Sequence, residues 1–239
     1  MARTGRLRNE IGADGSLGPA TTRTEQVYAD LRNDILRGRL LPDQRLRFAA
    51  LTEHYDCSTG VVREALTRLA AEGLVRAEPQ LGFHVTPLSE EDLVDLTDAR
   101  CELEGLVLRM SIQHGGIGWE SEIVAAHHSL DRTPIGSSDD PALLSEDWTQ
   151  AHSRFHAALL AACPNRRLRN MALSLRDSAE MYRRWSHPTG AGRHRDVADE
   201  HRQLVDAALC GDATEAVRLL GEHLRRTTSD LAPGSRLAV

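Results

Sequence analysis

The chain has 239 residues, 41% hydrophobic and 27% charged, with a formal net charge of -6, a balance that fits a globular protein of one or two domains. No apolar run approaches the roughly 18 residues a bilayer span requires, and the first twenty residues lack the apolar segment of a secretory signal, so a cytoplasmic protein with no membrane partner is expected. Cys57, Cys101, Cys163 and Cys210 lie far apart without a CxxC pair, which argues against a disulfide framework or a thiolate zinc site and reads them as reduced core thiols.

Charge is uneven along the chain. Residues 1–87 hold 12 Arg and 11 acids, a net of +1, while residues 88–239 hold 17 Arg and 24 acids, a net of -7. Lysine is absent, so every fixed positive side chain is a guanidinium, suited to phosphate and carboxylate forks. A genome-wide codon bias explains the same absence, and composition alone does not establish nucleic-acid binding.

Residues 1–22 are rich in Gly, Thr and Arg without periodicity and read as a disordered arm, basic enough to touch DNA phosphates. From Arg23 a first helix is expected, with Val27, Leu31, Ile35 and Leu36 on its apolar stripe until Gly38, then a turn at Leu40, Leu41, Pro42 and Asp43. A short second helix follows with Phe48, Ala49, Leu51 and Tyr55. Residues 58–75 describe a third: Ser58 caps it, Val62, Ala65, Leu66 and Leu69 form one face, and Gly60, Arg63 and Thr67 fall on another. Gly73 ends it, and strands at 74–77 and 83–85 flank a turn at 79–82. Three helices followed by a two-stranded wing make a winged helix-turn-helix, which places its second motif helix in the major groove.

The run GRLLPDQRL, the STGVVREAL core, the AEGLV exit and the LGFHVTPL wing resemble the amino-terminal domain of GntR-family bacterial transcription regulators, over residues 23–87. The resemblance implies that Arg63 contacts DNA and that Ser58 sits near a phosphate at the helix start. Where the family usually places Arg and then Thr after the Ser, this chain has Thr59 and Gly60, and Ala49 stands where a charged residue is typical. Base contacts are therefore not carried over there. Arg45 and Arg47 are candidate substitutes or else solvated arginines, and Gly82 in the wing completes the expected DNA-binding set.

Beyond Pro87 the pattern changes to long helices, and residues 88–229 read as an all-helical domain with a flexible tail at 230–239. Ser89 with Asp92 resembles a capping box, and Glu90, Glu91 and Asp92 put negative charge at the helix start. Leu93, Leu96, Arg100, Leu103, Val107 and Met110 then recur at helical intervals. A buried guanidinium needs a partner, so Arg100 pairs with Glu104 one turn on, or awaits an anionic ligand, or both. Further helices are expected at about 119–132, 141–162, 166–186, 194–210 and 212–228. The fold class is mostly α: a winged helix-turn-helix followed by an all-α bundle.

In EDWTQAHSRFHAALLAACPN, His152 and His156 are one helical turn apart, a spacing that lets two imidazoles ligate one ion. His201 shares a stripe with Val197, Leu204 and Ala208, and His223 one with Leu219, Leu220 and Thr227. Each is alone an ordinary core histidine; four aimed at one bundle core favour a shared metal site. His127, His128 and His194 read as surface or outer residues.

The run from Asp95 to Glu104, the FHAALLAACPN segment, the DEHRQLVDAALCGDATEA run and the LGEHL ending resemble the FCD effector domain of FadR-type members of the same family, over residues 90–228 or so. Members with a metal site use an Asp or Asn a turn before the FH histidine, that histidine, and two more from the last two helices. Carried over, these positions are His152, His156, His201 and His223. His152 departs from the pattern, and an imidazole for a carboxylate favours Zn, then Ni or Cu, over Mn or Mg.

The expected function is a ligand-responsive DNA-binding regulator: a homodimer on a pseudo-palindromic operator, binding a metal ion and a small carboxylate effector. Arg100 would neutralise the effector, with Tyr182, Arg183 or Trp185 lining the pocket. A metal sensor with the ion as signal, and a metal-dependent hydrolase, are the alternatives. HSRFH lacks the general base of HExxH, and no GxSxG turn or phosphate loop is present, so no enzyme is expected.

Overall fold

A computed structural model of the chain describes residues 22–137, 144–186 and 195–231. Helix α1 (Arg23–Leu36) starts at a complete capping box: Thr22 accepts the Glu25 N–H, and the Glu25 carboxylate accepts the Thr22 N–H. Its buried face is Val27, Leu31 and Ile35. After β1 (Arg45–Leu46), α2 (Phe48–His54) and α3 (Thr59–Ala71) form the helix-turn-helix pair. Ser58 caps α3 by accepting the Val61 N–H at 3.4 Å, and Val62, Ala65, Leu66 and Leu69 are its buried residues. Gly73, at φ 78°, ends the helix in the left-handed conformation that glycine adopts without steric cost.

The wing is β2 (Val75–Glu78) and β3 (Gly82–Val85), antiparallel, with Val75 opposite Val85 and Glu78 opposite Gly82. The sheet has three strands in the order β1-β3-β2. Strand β1 was not expected, because two residues carry no period to read. Leu46 is buried opposite Phe83, and Arg45 pairs with His84 on the outer register.

Helix α4 (Glu90–His114) is capped by Ser89, which accepts the Asp92 N–H at 3.1 Å. The reciprocal half of the expected box is rerouted. Ser89 N–H donates to the Tyr182 hydroxyl at 3.2 Å, and that hydroxyl donates to Asp92 Oδ2 at 2.5 Å. Along α4, Leu93, Leu96, Arg100 and Val107 are buried as the stripe predicts, whereas Leu103 and Met110 are half-buried and Glu104, Leu108 and Ser111 are buried. The buried face is wider than the six expected positions because α4 packs against both α7 and α9.

Five helices complete the bundle: α5 (Ile117–Asp131), α6 (Glu146–Leu159), α7 (Arg166–Ser186), α8 (Val197–Leu209) and α9 (Ala213–Leu231). The expected start of α6 at 141 lies outside the described residues; Ser145 caps the observed helix by accepting the Trp148 N–H. Helix α8 begins at Val197 rather than 194, because Asp196 caps it through the Asp199 N–H. Helix α9 runs into the expected flexible tail. Leu231 is 5% exposed among Leu93, Leu96, Ala179 and Tyr182, and Asp230 accepts Arg195 at 2.8 Å, so both residues gain contacts by staying helical. Of the arm expected at 1–22, Thr22 is ordered as the cap of α1 and residues 1–21 lie outside the described residues, as do 232–239 of the expected tail.

Each half has its own apolar packing; among the described residues, partly buried Leu88 touches clusters of both halves, and one buried side chain crosses from the bundle into the winged helix. Met181 of α7 is buried among the Val27, Leu31, Leu66 and Leu69 cluster of the winged helix. Around it, Arg32 of α1 pairs with Asp177 of α7, and Glu146 at the start of α6 forms an ion pair at 3.3 Å with Arg37, which caps α1, and accepts a hydrogen bond from Arg184 of α7 at 2.7 Å.

Candidate metal centre and nucleic-acid interface

Amphipathic packing brings His152 and His156 of α6, His201 of α8 and His223 of α9 into one place. They are 2%, 2%, 3% and 4% exposed. One ring nitrogen of each lies within 4.8 Å of the others, and ring centroids are 4.5 Å apart for His152 and His156, 5.1 Å for His156 and His223, and 4.9 Å for His201 and His223. Trp148, one turn before His152, stacks on it at 4.7 Å and 23°.

Whether these residues suit a cation can be judged from their protonation and their unpaired atoms. Burial lowers all four pKa values, pushing His201 down to about 2 and His223 to about 4 and holding His152 and His156 well below the ordinary histidine range. For His152 and His156 the next causes are the nearby positive charges of Arg183 and Arg176 respectively. All four are therefore neutral imidazoles at neutral pH, the form that donates a lone pair. Both ring nitrogens of His156 and Nε2 of His201 are buried with no hydrogen-bond partner. Buried polar atoms left unpaired are costly, and a cation at their meeting point satisfies them.

A shell of charged groups orients the rings. Glu200 Oε2 lies 2.9 Å from His223 Nδ1, and because a carboxylate only accepts, this contact puts the proton on Nδ1 and leaves the lone pair on Nε2. Arg195 holds that carboxylate at 2.6 Å and 2.8 Å, and its hydrogen bonds with those of His223 and Arg226 keep Glu200 ionised far below the usual carboxylate range despite burial. Arg183 Nη1 lies 2.6 Å from His152 Nδ1 and 3.3 Å from its Nε2. Full burial pushes the Arg183 pKa down to about 10, so the guanidinium stays charged at neutral pH.

Of the two partners open to Arg100, the structure contains Glu104, at 2.6 Å. Glu104, 1% exposed, also accepts Arg176 at 3.3 Å, so one carboxylate serves two guanidinium groups. Tyr182 is not brought to the histidines: its hydroxyl is engaged at the start of α4, and desolvation with the Asp92 hydrogen bond raises its pKa. The Trp185 side chain and His194 lie outside the described residues. His127 is half-buried with its ring 5.5 Å from Phe155, and His128 is exposed.

Arg176, Arg195, Glu180 and Glu200 were not singled out from sequence. A signal existed for one of them: Arg176 precedes Arg183 by seven residues, two turns on the same face of α7. Nothing in DEHR indicates that Glu200 bonds a histidine of the following helix.

On the winged helix, Ser58, Thr59, Gly60, Arg63 and Thr67 are all exposed along one side of α3, and Arg45 and Arg47 are exposed on either side of Leu46. The Arg63 guanidinium lies over the Phe48 ring at 5.0 Å, which braces it at the protein surface. A Cβ at Gly60 would approach nothing closer than Ser58 Oγ at 3.8 Å, so the fold does not require glycine there. Gly82 has φ 96°, a conformation in the wing turn that L residues rarely adopt.

Comparison with known proteins follows the same division. Residues 23–85 match the family described as bacterial regulatory proteins, gntR family, and residues 95–226 match the FCD domain. The chain belongs to the GntR family. It is 36% identical over 200 residues to the HTH-type transcriptional repressor GlaR of Escherichia coli strain K12, covering 82% of this chain and 90% of that one. It is 38% identical over 207 residues to the uncharacterized HTH-type transcriptional regulator BphR of Paraburkholderia xenovorans, covering 86% and 83%. Among solved structures, E. coli McbR/YncC superposes with a TM-score of 0.75 at 20% identity, covering 91% of this chain and 100% of that one, a likeness of fold. The protein is thus a DNA-binding transcription regulator of GntR/FCD type, a family whose members typically bind operators as dimers. No described helix is long and apolar enough to cross a membrane.

Proposed function

We propose that this regulator is a cytoplasmic homodimer whose helical domain binds a transition-metal ion, Zn before Ni or Cu, together with a small carboxylate effector. The observation that carries the reading is the convergence of four neutral, buried histidines, with unpaired ring nitrogens on His156 and His201, beside an excess of buried guanidinium groups. His156, His201 and His223 would hold the ion, with His152 as a fourth donor, and the ion supplies a Lewis-acid position for a carboxylate oxygen. Arg100, Arg176 and Arg183 face two carboxylates, Glu104 and Glu180, which leaves one positive charge for an anion. Arg63, Ser58, Thr59 and Gly60, with Arg45, Arg47 and Gly82 alongside, would meet the operator, and ligand-linked repacking of the bundle would reset the spacing of the two α3 helices.

Metal content measured on the purified full-length protein tests this directly. About one Zn or Ni per chain, removed by chelator and lost in a His156→Ala/His223→Ala double variant that still folds, is the expected result. Stoichiometric metal in that variant would sink the assignment. A second reading, with the ion itself as signal, is supported by the hydrogen bond between Arg183 and His152, which ties a candidate metal ligand directly to α7. It requires operator affinity to change with metal alone and organic acids to add nothing.

A further inference from the structure

Helix α7 carries two rows of side chains, one residue out of step and so about 100° apart around its axis. Arg176, Glu180 and Arg183 form the first row. Arg176 bonds Glu104 at 3.3 Å, while Arg183 Nη1 is 3.4 Å from Glu180 Oε2 and 2.6 Å from His152 Nδ1. Asp177, Met181 and Arg184 form the second, with the same spacings of four and three, and this row seats the winged helix. Asp177 pairs with Arg32, which also holds Glu72 at 3.3 Å; Met181 is 2% exposed within the winged-helix core; Arg184 reaches Glu146, the ion-pair partner of Arg37. Glu146 begins α6, the helix that carries His152 six residues later.

The guanidinium of Arg183 covers the edge of the His152 ring, 2.6 Å from one nitrogen and 3.3 Å from the other. A neutral imidazole has one available lone pair, and it cannot serve a hydrogen-bond donor and a metal ion at once.

We propose that Arg183 and a metal ion compete for His152, and that α7 carries the outcome to the winged helix through Asp177, Met181 and Arg184. This rests on reading the four histidines as a metal centre. When His152 gives its lone pair to an ion, Arg183 loses its acceptor and α7 loses its direct tie to the middle of α6. The second row of α7 and the first turn of α6 share the seat of α1, so a shift between these two helices alters the angle at which the winged helix is held. A two-state element biased from both sides is the physical requirement for coupling, and α6 and α7 supply one within a single layer of contacts.

The test uses chelator-stripped full-length protein and two measurements: calorimetric titration with zinc chloride, and anisotropy-detected binding to an operator selected from random-sequence DNA, with and without zinc. Zinc is expected to change wild-type operator affinity by about fivefold or more. Arg183→Met is expected to bind zinc about tenfold or more tighter, having lost a charged hydrogen-bond competitor. Arg183→Lys keeps the charge without the planar fork, separates the hydrogen bond from simple repulsion, and serves if the Met variant does not fold. Asp177→Asn is expected to keep the zinc stoichiometry while losing most of the zinc-dependent change in operator affinity.

A wild-type zinc response in Asp177→Asn, or unchanged zinc affinity in both Arg183 variants, would overturn the coupling and leave the metal centre standing. Zinc binding in the wild type with no change in operator affinity would do the same. Absence of zinc binding in the wild type would remove the metal reading itself, and the coupling with it.

Discussion

In the winged helix the residues expected to meet DNA, Arg45, Arg47, Thr59, Gly60 and Arg63, are exposed and stand on a core built from other side chains. In the helical domain the candidate ligands are themselves core: His152, His156, His201 and His223 are at most 4% exposed, and of the charges that orient them Arg183 is buried and Arg195 and Glu200 are half-buried. The first arrangement lets recognition change without disturbing the fold. The second ties function to stability, because each polar group in it must be satisfied by a particular neighbour.

The largest effect that would test this contrast is at Glu104. Replacing it by Ala leaves Arg100 and Arg176 buried without their shared carboxylate, and a loss of about 3 to 5 kcal/mol is expected from urea melts. A loss under about 1 kcal/mol, within the range of surface pairs, would mean that the two arginines find other partners and that the domain is less tightly specified than described.

Acid gives the next effect. The four histidines have pKa values lowered in the folded chain and near 6.5 when unfolded, so below pH 6.5 the unfolded state binds more protons. Their contribution is intact above pH 6.5 and falls as pH drops from there toward about 4, where His223 begins to titrate in the folded state. The slope approaches about 1.4 kcal/mol per pH unit for each histidine well below its unfolded pKa. Melts of metal-free protein at pH 7 and 5.5 should differ accordingly, and equal stability at the two values would contradict the burial of these rings.

The smallest stability effect is expected on the DNA face. Arg63→Ala should change folding stability by no more than about 0.5 kcal/mol while weakening operator binding by about 1 to 3 kcal/mol. Gly60→Ala, whose added methyl meets only Ser58 Oγ at 3.8 Å, should leave stability equal or slightly raised. A melting temperature that falls with operator affinity in either variant would show that this face is not independent of its core.

Much of the architecture was legible in sequence because it rests on local period. The apolar faces of α1 and α3, the Ser58 and Ser89 caps and the glycine ending α3 depend on residues within two helical turns of each other. The inward aim of the four histidines follows from the same periodicity applied to three separate helices. Strand β1 was not legible, since Leu46 is strand only by virtue of Phe83, 37 positions away in the chain. Residues 230 and 231 belong to α9 because Arg195 and the Tyr182 cluster receive them, contacts no local pattern encodes.

The sequence by itself determined the two-part organisation, the face each helix buries and the set of histidines that can meet, because a helix fixes the direction of its side chains about its own axis. Only the tertiary structure decided which charge serves which: Arg100 to Glu104, Arg183 to His152, Glu200 to His223, and Tyr182 to the start of α4. The rotation and spacing of neighbouring helices set those choices. A guanidinium or carboxylate on a flexible stem reaches several candidate partners, and burial leaves it only the ones that packing places within hydrogen-bond distance.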